Sequence, residues 1–417
     1  MSAAGRGGLL PVVIVGGGLV GGLMALLLAR EGVAVTLLDA APALTGQVLQ
    51  QRDARVYALS PASIRLLEVA GVWPQVARRA DYHAMAVWHR EGHGQMNFGA
   101  TQGDAPRLGS MVEPSVLALA LQGQLQAAGV AVQHGCRVQS VALLGKGWRI
   151  QGQDGQVWDT ALLIGADGAR SQVRDQAGIR VRQLDYHQSG LTAALQMSRP
   201  HGGVARQVFL PGGPLALLPM ADLSTDLPPA ARDHWVSMVW TLPTAEAEAW
   251  ASADTPALAE ALTRFSERVL GEVRAIESRG LFPLRAQQAE TEWLPALALI
   301  GDAAHGIHPL AGQGVNLGLL DAGLLADSLL RDRERGLWAA DQTLSRYARE
   351  RRLACSVMMH SMSAIGWLEK NHLPAWVVLR DWGHQVVNRW PGLSSRITEA
   401  ASGWPALRKT RYALMDF

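Results

Sequence analysis

Cysteine is nearly missing from this 417-residue chain: Cys136 and Cys355 are its only two, 219 positions apart. They form no metal or redox spacing, and a reducing, cytosolic setting is the simple reading. Charge of one sign is not in excess either. Lys+Arg total 38 and Asp+Glu 36, a net charge of +2. That balance excludes nucleic acid held on a broad phosphate-neutralising face. No apolar run reaches the ~20 residues of a spanning helix. The most apolar early stretch, residues 19–29, is interrupted by Gly21 and Gly22. No secretory signal is visible in MSAAGRGGLLP, which holds one Arg and no apolar run of signal length. Low-complexity tracts and internal repeats are also missing. With 48% hydrophobic and 18% charged residues, the chain reads as globular, with two or three domains at roughly 100–200 residues each. What it has in excess is glycine, 44 residues, about a tenth against the usual ~7%. Glycine belongs where backbone must approach something closely.

Residues 11–15 (PVVIV) predict a buried strand, 19–30 a helix stopped by Gly32, and 33–39 a second buried strand. Together they make one β–α–β unit in about 29 residues. Residues 56–79 predict a helix, 82–99 two antiparallel strands around a Gly turn, and 112–128 another helix. A strand at 130–135 then leads into hairpins with turns at 145–147 and 152–155. Buried strands recur at ALLIGADG (161–168) and ALALIGD (296–302). Between them, 181–285 holds short strands and one helix-like stretch, 244–274. A Gly-spaced helix at about 313–331 and a helical tail from 341 follow. The fold class expected is mixed α/β: a Rossmann-like nucleotide-binding domain, an inserted sheet-based domain and a helical tail. The boundaries expected are 1–180 (with a strand-rich insertion near 82–108) and 286–340 for the first domain, 181–285 for the sheet domain, and 341–417 for the tail.

In VVIVGGGLVGG, Gly16, Gly18 and Gly21 form G-x-G-x-x-G between a strand and a helix. Gly16 suits the tight turn, Gly18 backbone approach to a pyrophosphate, and Gly21 close helix–strand packing. The helix N-terminus offers free N–H groups to that anion. Asp39 closes the second strand 23 residues later, where a carboxylate accepts from a ribose hydroxyl. This fingerprint alone does not separate NAD from FAD. Two later segments do. LLIGADGARSQVR places Asp167 and Gly168 after a strand. LALIGDAAHGIHPLAGQGVNLGLLDAG places Gly301 and Asp302 after another, with Gly312, Gly314 and Gly318 behind them. An acid there holds a ribityl hydroxyl, and the loop Gly312–Asn316 leads into a helix whose N–H groups face an electron-rich ring oxygen.

GADGARSQVR and GDAAHGIHPLAGQGVNLGL resemble the later motifs of group A FAD-dependent aromatic hydroxylases. RVYALSPASIRLLE (55–68), AVWHREGHGQMNF (86–98), LGSMVEPSVLALAL (108–121), QVFLPGGPLALLPM (207–220), VSMVWTLP (236–243) and LFPLRAQQA (281–289) are similar to the ubiquinone-biosynthesis hydroxylase family. The resemblance runs from about residue 11 to 335. Pro114, Leu320 and His89 depart from the Asn, Arg and acid common in the family.

The resemblance implies that NAD(P)H transiently reduces a tightly bound FAD, which takes up O2 as a flavin hydroperoxide and hydroxylates the ring of a polyprenyl phenol. Cofactor chemistry of this kind matches a chain with no paired carboxylates, nucleophile–base pair or metal spacing. Carried over, Gly16, Gly18 and Gly21 hold the pyrophosphate, Asp39 the adenosine ribose, and Gly301 and Asp302 the ribityl–phosphate region. Gly312, Gly314, Val315 and Asn316 hold the isoalloxazine, with Pro309 on its face. Arg55 lies beside the flavin, and Asp167 near the pyrophosphate and the nicotinamide path. His308 and Arg55 are the catalytic candidates; His305, His83, His89 and His93 read as structural. Other ubiquinone-biosynthesis proteins are expected partners. The location is expected to be cytoplasmic, with peripheral contact at the inner face of the cell membrane through the apolar–basic tail around 367–389. Rival readings are a halogenase of the same fold, whose W-x-W-x-I-P motif is missing, a hydroxylase of a soluble aromatic, and a non-catalytic FAD-bearing scaffold.

Overall fold

The computed structural model describes residues 12–90, 95–99, 107–224, 226–306, 314–370, 399 and 402–413. Two large sheets organise them. The first is six-stranded, in the order Trp293–Leu294, Leu297–Leu299, Leu163–Gly165, Val12–Val15, Val35–Asp39, Ala131–His134. All its neighbours are parallel except the short edge pair at 293–299. Its central strands are apolar on both faces because helices cover them. The helix Leu19–Arg30 packs Leu23, Leu26 and Leu27 into a core shared with Leu319 and Leu325 of the helix Gly314–Arg333.

The second sheet is eight-stranded: His305–Gly306, Val273–Ala289, Val181–Met197, Trp235–Pro243, Gly213–Pro219, Val204–Leu210, Ala84–His89, Gln95–Gly99. Its inner face packs Leu191, Leu195, Met238 and Trp240 against two helices, Thr244–Ser252 and Thr255–Phe265. The insertion expected near 82–108 supplies Ala84–His89 and Gln95–Gly99, and both belong to this sheet, through parallel pairing of 84–89 with 204–209.

Three expectations need correction. The helix expected over 56–79 is confined to Pro61–Val69. Ser60 caps it by accepting from the Ser63 N–H, and Gly71, at φ +72°, turns the chain away. The short strands expected in 181–285 include two of 17 residues, Val181–Met197 and Val273–Ala289, paired along most of their length across register shifts. The single helix-like stretch 244–274 is two helices separated at Asp254, which caps the second. The tail is helical over Asp341–Lys370. The apolar–basic run expected to meet a membrane falls outside the residues whose side chains are described. Among the described residues, no helix is long and apolar enough to cross a membrane.

Candidate active site

The first glycine turn is shaped by close approach. Gly16 has φ +105°, and a Cβ there would lie 2.3 Å from the Ala166 carbonyl oxygen. A Cβ on Gly21 would meet the Gly16 oxygen at 2.0 Å, so helix and strand touch through backbone. Gly17 lies under the Asp39 carboxylate, 2.6 Å from the position of its missing Cβ. Gly18 differs: among the described residues nothing stands within 4 Å of its missing Cβ. It begins the helix Leu19–Arg30, which has no side-chain cap and no acid in its first turn. An uncapped helix end beside open space, with a carboxylate at the neighbouring strand end, suits a diphosphate joined to a ribose.

The later motifs meet this turn. Ala166 and Asp167 follow the strand Leu163–Gly165 and pack on Gly16. Gly301, at φ +60°, packs on Val20 of the first helix, as does Gly318. Asp302 is exposed to solvent although most of its surroundings are protein, as expected of a group lining a cleft. Burial raises its pKa; His305 and Arg55 oppose the shift. Arg55 stands across from it, its guanidinium 5.7 Å from the Tyr57 ring centre and 5.6 Å from that of Phe282. The segment carrying Arg55 is keyed into the eight-stranded sheet. Ser237 Oγ donates to the Ala54 carbonyl at 3.2 Å and Ser278 Oγ to that of Arg52 at 2.5 Å. On the opposite side, Glu113 accepts from the Asp53 N–H and Asp53 accepts from the Ser115 N–H.

Two expected site residues use their side chains within the protein. Asn316 donates to the Ala58 carbonyl at 2.8 Å and accepts from the Ser60 N–H and Ser63 Oγ. It ties the helix Gly314–Arg333 to the helix Pro61–Val69, which leaves its backbone for a ligand. Asp167 accepts from Ser171 Oγ and from the Val173 N–H. Burial raises its pKa, and these bonds oppose the shift. Among the described residues, nothing stands within 4 Å of where a Cβ on Gly314 would lie. His308, Pro309 and Gly312 lie outside the described residues, as does His93. His89 is buried and stacked on Phe209, with ring centres 4.8 Å apart.

Behind the cleft lies a buried polar cluster that the sequence did not point to. Asp321 accepts from the Gly301 N–H at 2.8 Å and pairs with Arg351 Nε at 2.5 Å and His305 Nε2 at 2.8 Å. All three side chains are at most 3% exposed. Burial alone would lower the His305 pKa, but Asp321 overrides it and holds it well above the ordinary 6.5. His305, Asp321 and Cys355 bring donor atoms within 4.8 Å of one another, and the Arg351 guanidinium supplies positive charge there. Glu292 sits nearby, 1% exposed, with neither carboxylate oxygen hydrogen-bonded; burial pushes its pKa up to about 7. The one sequence signal for this cluster was an acid, Asp321, inside an otherwise apolar helical stripe.

A family model described as an FAD binding domain matches residues 10–361. The 3-demethoxyubiquinol 3-hydroxylase of Escherichia coli is 35% identical over 405 residues, which cover 94% of this chain and 98% of that protein. The chain belongs to the ubiquinone-biosynthesis hydroxylases, a family of FAD-dependent monooxygenases. A ubiquinone hydroxylase of Rhodospirillum rubrum is 33% identical, over 94% of this chain and 89% of its own length. Among solved structures, the p-nitrophenol 4-monooxygenase from Pseudomonas putida superposes with a TM-score of 0.74 at 18% identity, covering 94% of this chain and 98% of that one. At that identity the likeness speaks for the fold, which is the mixed α/β architecture expected. The cofactor of this family member is FAD, and the open, uncapped glycine turn beside Asp39 and the cleft lined by Asp302 are compatible with it.

Proposed function

We propose that the protein hydroxylates the aromatic ring of a polyprenyl phenol on the route to ubiquinone, with NAD(P)H as transient reductant and O2 as oxygen source. The observation that carries this reading is the 35% identity to the Escherichia coli hydroxylase along 94% of the chain. Bound FAD supplies the redox chemistry that activates O2. The protein's part is to bind, orient and keep water away. The uncapped helix end at Gly18 takes the diphosphate, with Gly16 and Gly21 letting backbone close around it, and Asp39 accepts from the adenosine ribose. Gly301 and Asp302 take the ribityl chain. Gly314, Val315 and Asn316 would hold the ring through their backbone N–H groups; Pro309 and Gly312, its expected neighbours, lie outside the described residues. Asp167 holds the loop beside the pyrophosphate and the nicotinamide path. Arg55, Tyr57 and Phe282 form the opposite side, where aromatic surface excludes water from the reacting ring. Arg55 supplies a fixed positive charge there, and His308 is the proton-handling candidate.

A polyprenyl tail partitions into a bilayer, so the reading includes peripheral contact with a membrane surface and exchange with other enzymes of the same route. The test is turnover. FAD-loaded protein supplied with NAD(P)H, a short-chain prenyl phenol and isotopically labelled O2 should give a product heavier by one labelled oxygen. NAD(P)H oxidation indifferent to the phenol, with no labelled product, would refute the proposal. In cells lacking the protein, the accumulating precursor names the ring carbon.

A further inference from the structure

Gln287 lies on the long strand Val273–Ala289 of the eight-stranded sheet, five positions from Phe282. Its side chain is 7% exposed and reaches out of that sheet. Its amide nitrogen donates to the Ala169 carbonyl at 2.9 Å and to the Asp302 carbonyl at 2.8 Å. An amide NH2 has two hydrogens, and here each finds an acceptor on a different turn. One turn follows Asp167; the other carries Asp302. Gln183, on the partner strand, donates to the Gln287 amide oxygen at 3.4 Å, which fixes which way the amide faces. The strand carrying Gln287 also pairs with the continuation of the second turn, Gln287 with Gly306 and Gln288 with His305. A second side chain spans the same gap. Arg174, 2% exposed, donates through Nη1 to the Ala169 carbonyl at 3.2 Å and the Ala303 carbonyl at 3.4 Å.

We infer that Gln287 is a positioning residue for the cofactor: its amide ties the Asp167 and Asp302 turns together beyond the ends of their paired strands and joins both to the strand that carries Phe282. This rests on the FAD-dependent reading above. Neither carbonyl is a ligand, so the effect of Gln287 on FAD passes through turn geometry. The strands that lead into the two turns, Leu163–Gly165 and Leu297–Leu299, pair in parallel, and their last bond joins the Ile300 N–H to the Gly165 carbonyl at 2.9 Å; beyond it the side chains of Gln287 and Arg174 bridge the turns. A bridge contributed by the sheet that lines the reaction side makes the spacing there a property of the assembled protein.

The test uses full-length Gln287→Glu, which keeps shape but points a carboxylate at two carbonyl oxygens. The measurements are FAD affinity by fluorescence titration and melting with and without FAD. At about pH 8 the ionised variant should bind FAD about ten-fold or more weakly, the scale set by losing hydrogen bonds to buried acceptors. Burial against two carbonyl oxygens favours the neutral acid, so as pH falls towards about 5 it takes up a proton and recovers one donor, and affinity should recover towards wild type. FAD-induced stabilisation should shrink in step. A purely structural role would lower both melts equally, leave the ratio of variant to wild-type FAD affinity independent of pH, and overturn the inference. Where the Glu variant does not fold, Gln287→Asn decides. It keeps the amide but withdraws it by one methylene, and wild-type FAD affinity in that variant would equally overturn the proposal. Failure of the wild type itself to bind FAD would instead sink the functional reading.

Discussion

Replacing Glu292 by Gln should stabilise the protein at neutral and alkaline pH and do much less in mild acid. Glu292 is 1% exposed, neither of its oxygens has a hydrogen-bond partner, and burial pushes its pKa from 4.5 to about 7. The folded state therefore holds its proton more tightly than the unfolded chain does. Stability from this group is fully present below about pH 4.5 and is lost as pH rises through about 7. A shift of this size amounts to about 3 kcal/mol at 1.36 kcal/mol per pH unit, of which about 2–3 kcal/mol falls between pH 5 and pH 8. A glutamine of the same shape carries no charge and escapes that loss. At ~2.1 cal/mol/K per residue, unfolding of a 417-residue cooperative unit has an entropy of about 0.9 kcal/mol/K. The variant should then gain about 3 °C over wild type on going from pH 5 to pH 8. The His305–Asp321–Arg351 charges are common to both proteins and, to first order, drop out of the difference. The assay is paired thermal melting of the FAD-free proteins at the two pH values. A melting difference that is the same at both would refute the reasoning.

Asp302→Ala should leave a folded, FAD-poor protein, since the residue is exposed towards the cleft and contributes no core volume; far-ultraviolet circular dichroism and flavin absorbance of the purified protein check both halves. Gly314→Val should barely change the melting of the FAD-free protein, because no described residue lies within 4 Å of the added Cβ. It should weaken FAD binding and divert remaining NAD(P)H oxidation to peroxide, as measured by titration and peroxide assay. Arg55→Ala should retain FAD but lower the ratio of phenol hydroxylated to NAD(P)H consumed, because the positive charge beside Tyr57 and Phe282 that acts on Asp302 is lost.

The β–α–β unit could be read from the sequence because both signals there are local: a short β-branched run, and glycines at positions where any Cβ would strike backbone. The Asp302 turn was found the same way. Helix limits at 61–69 were harder to read. Apolar residues continue past Gly71, and the stop comes from one left-handed residue. The length of Val181–Met197 was hidden because both faces of its outer half are polar or half-exposed, so alternation gives no signal. Asn316 was picked out as a ring-side candidate, but sequence does not show that its amide faces Ala58 and Ser60. Gln287 and Arg351 were missed for a plainer reason. Their partners are carbonyls or charges 15 to 118 positions away, and nothing in the local pattern of a strand or helix marks such a bond.

The six-stranded sheet also bears on how the chain emerges from a ribosome. Val12–Val15 finds its neighbour Leu163–Gly165 only after about 150 residues, and that strand in turn waits for Leu297–Leu299. From Gly165 to Leu299 is 134 positions, about 7–27 s of synthesis at 5–20 residues per second. For that interval an apolar strand stands at the sheet's growing edge with its hydrogen-bonding side unfilled, an invitation to pair with another nascent chain. The residues made meanwhile supply five strands of the eight-stranded sheet, Val181–Met197, Val204–Leu210, Gly213–Pro219, Trp235–Pro243 and Val273–Ala289. Truncation anywhere between about 170 and 295 should therefore give an insoluble product, and a holding chaperone should be needed most while the ribosome is still translating that stretch.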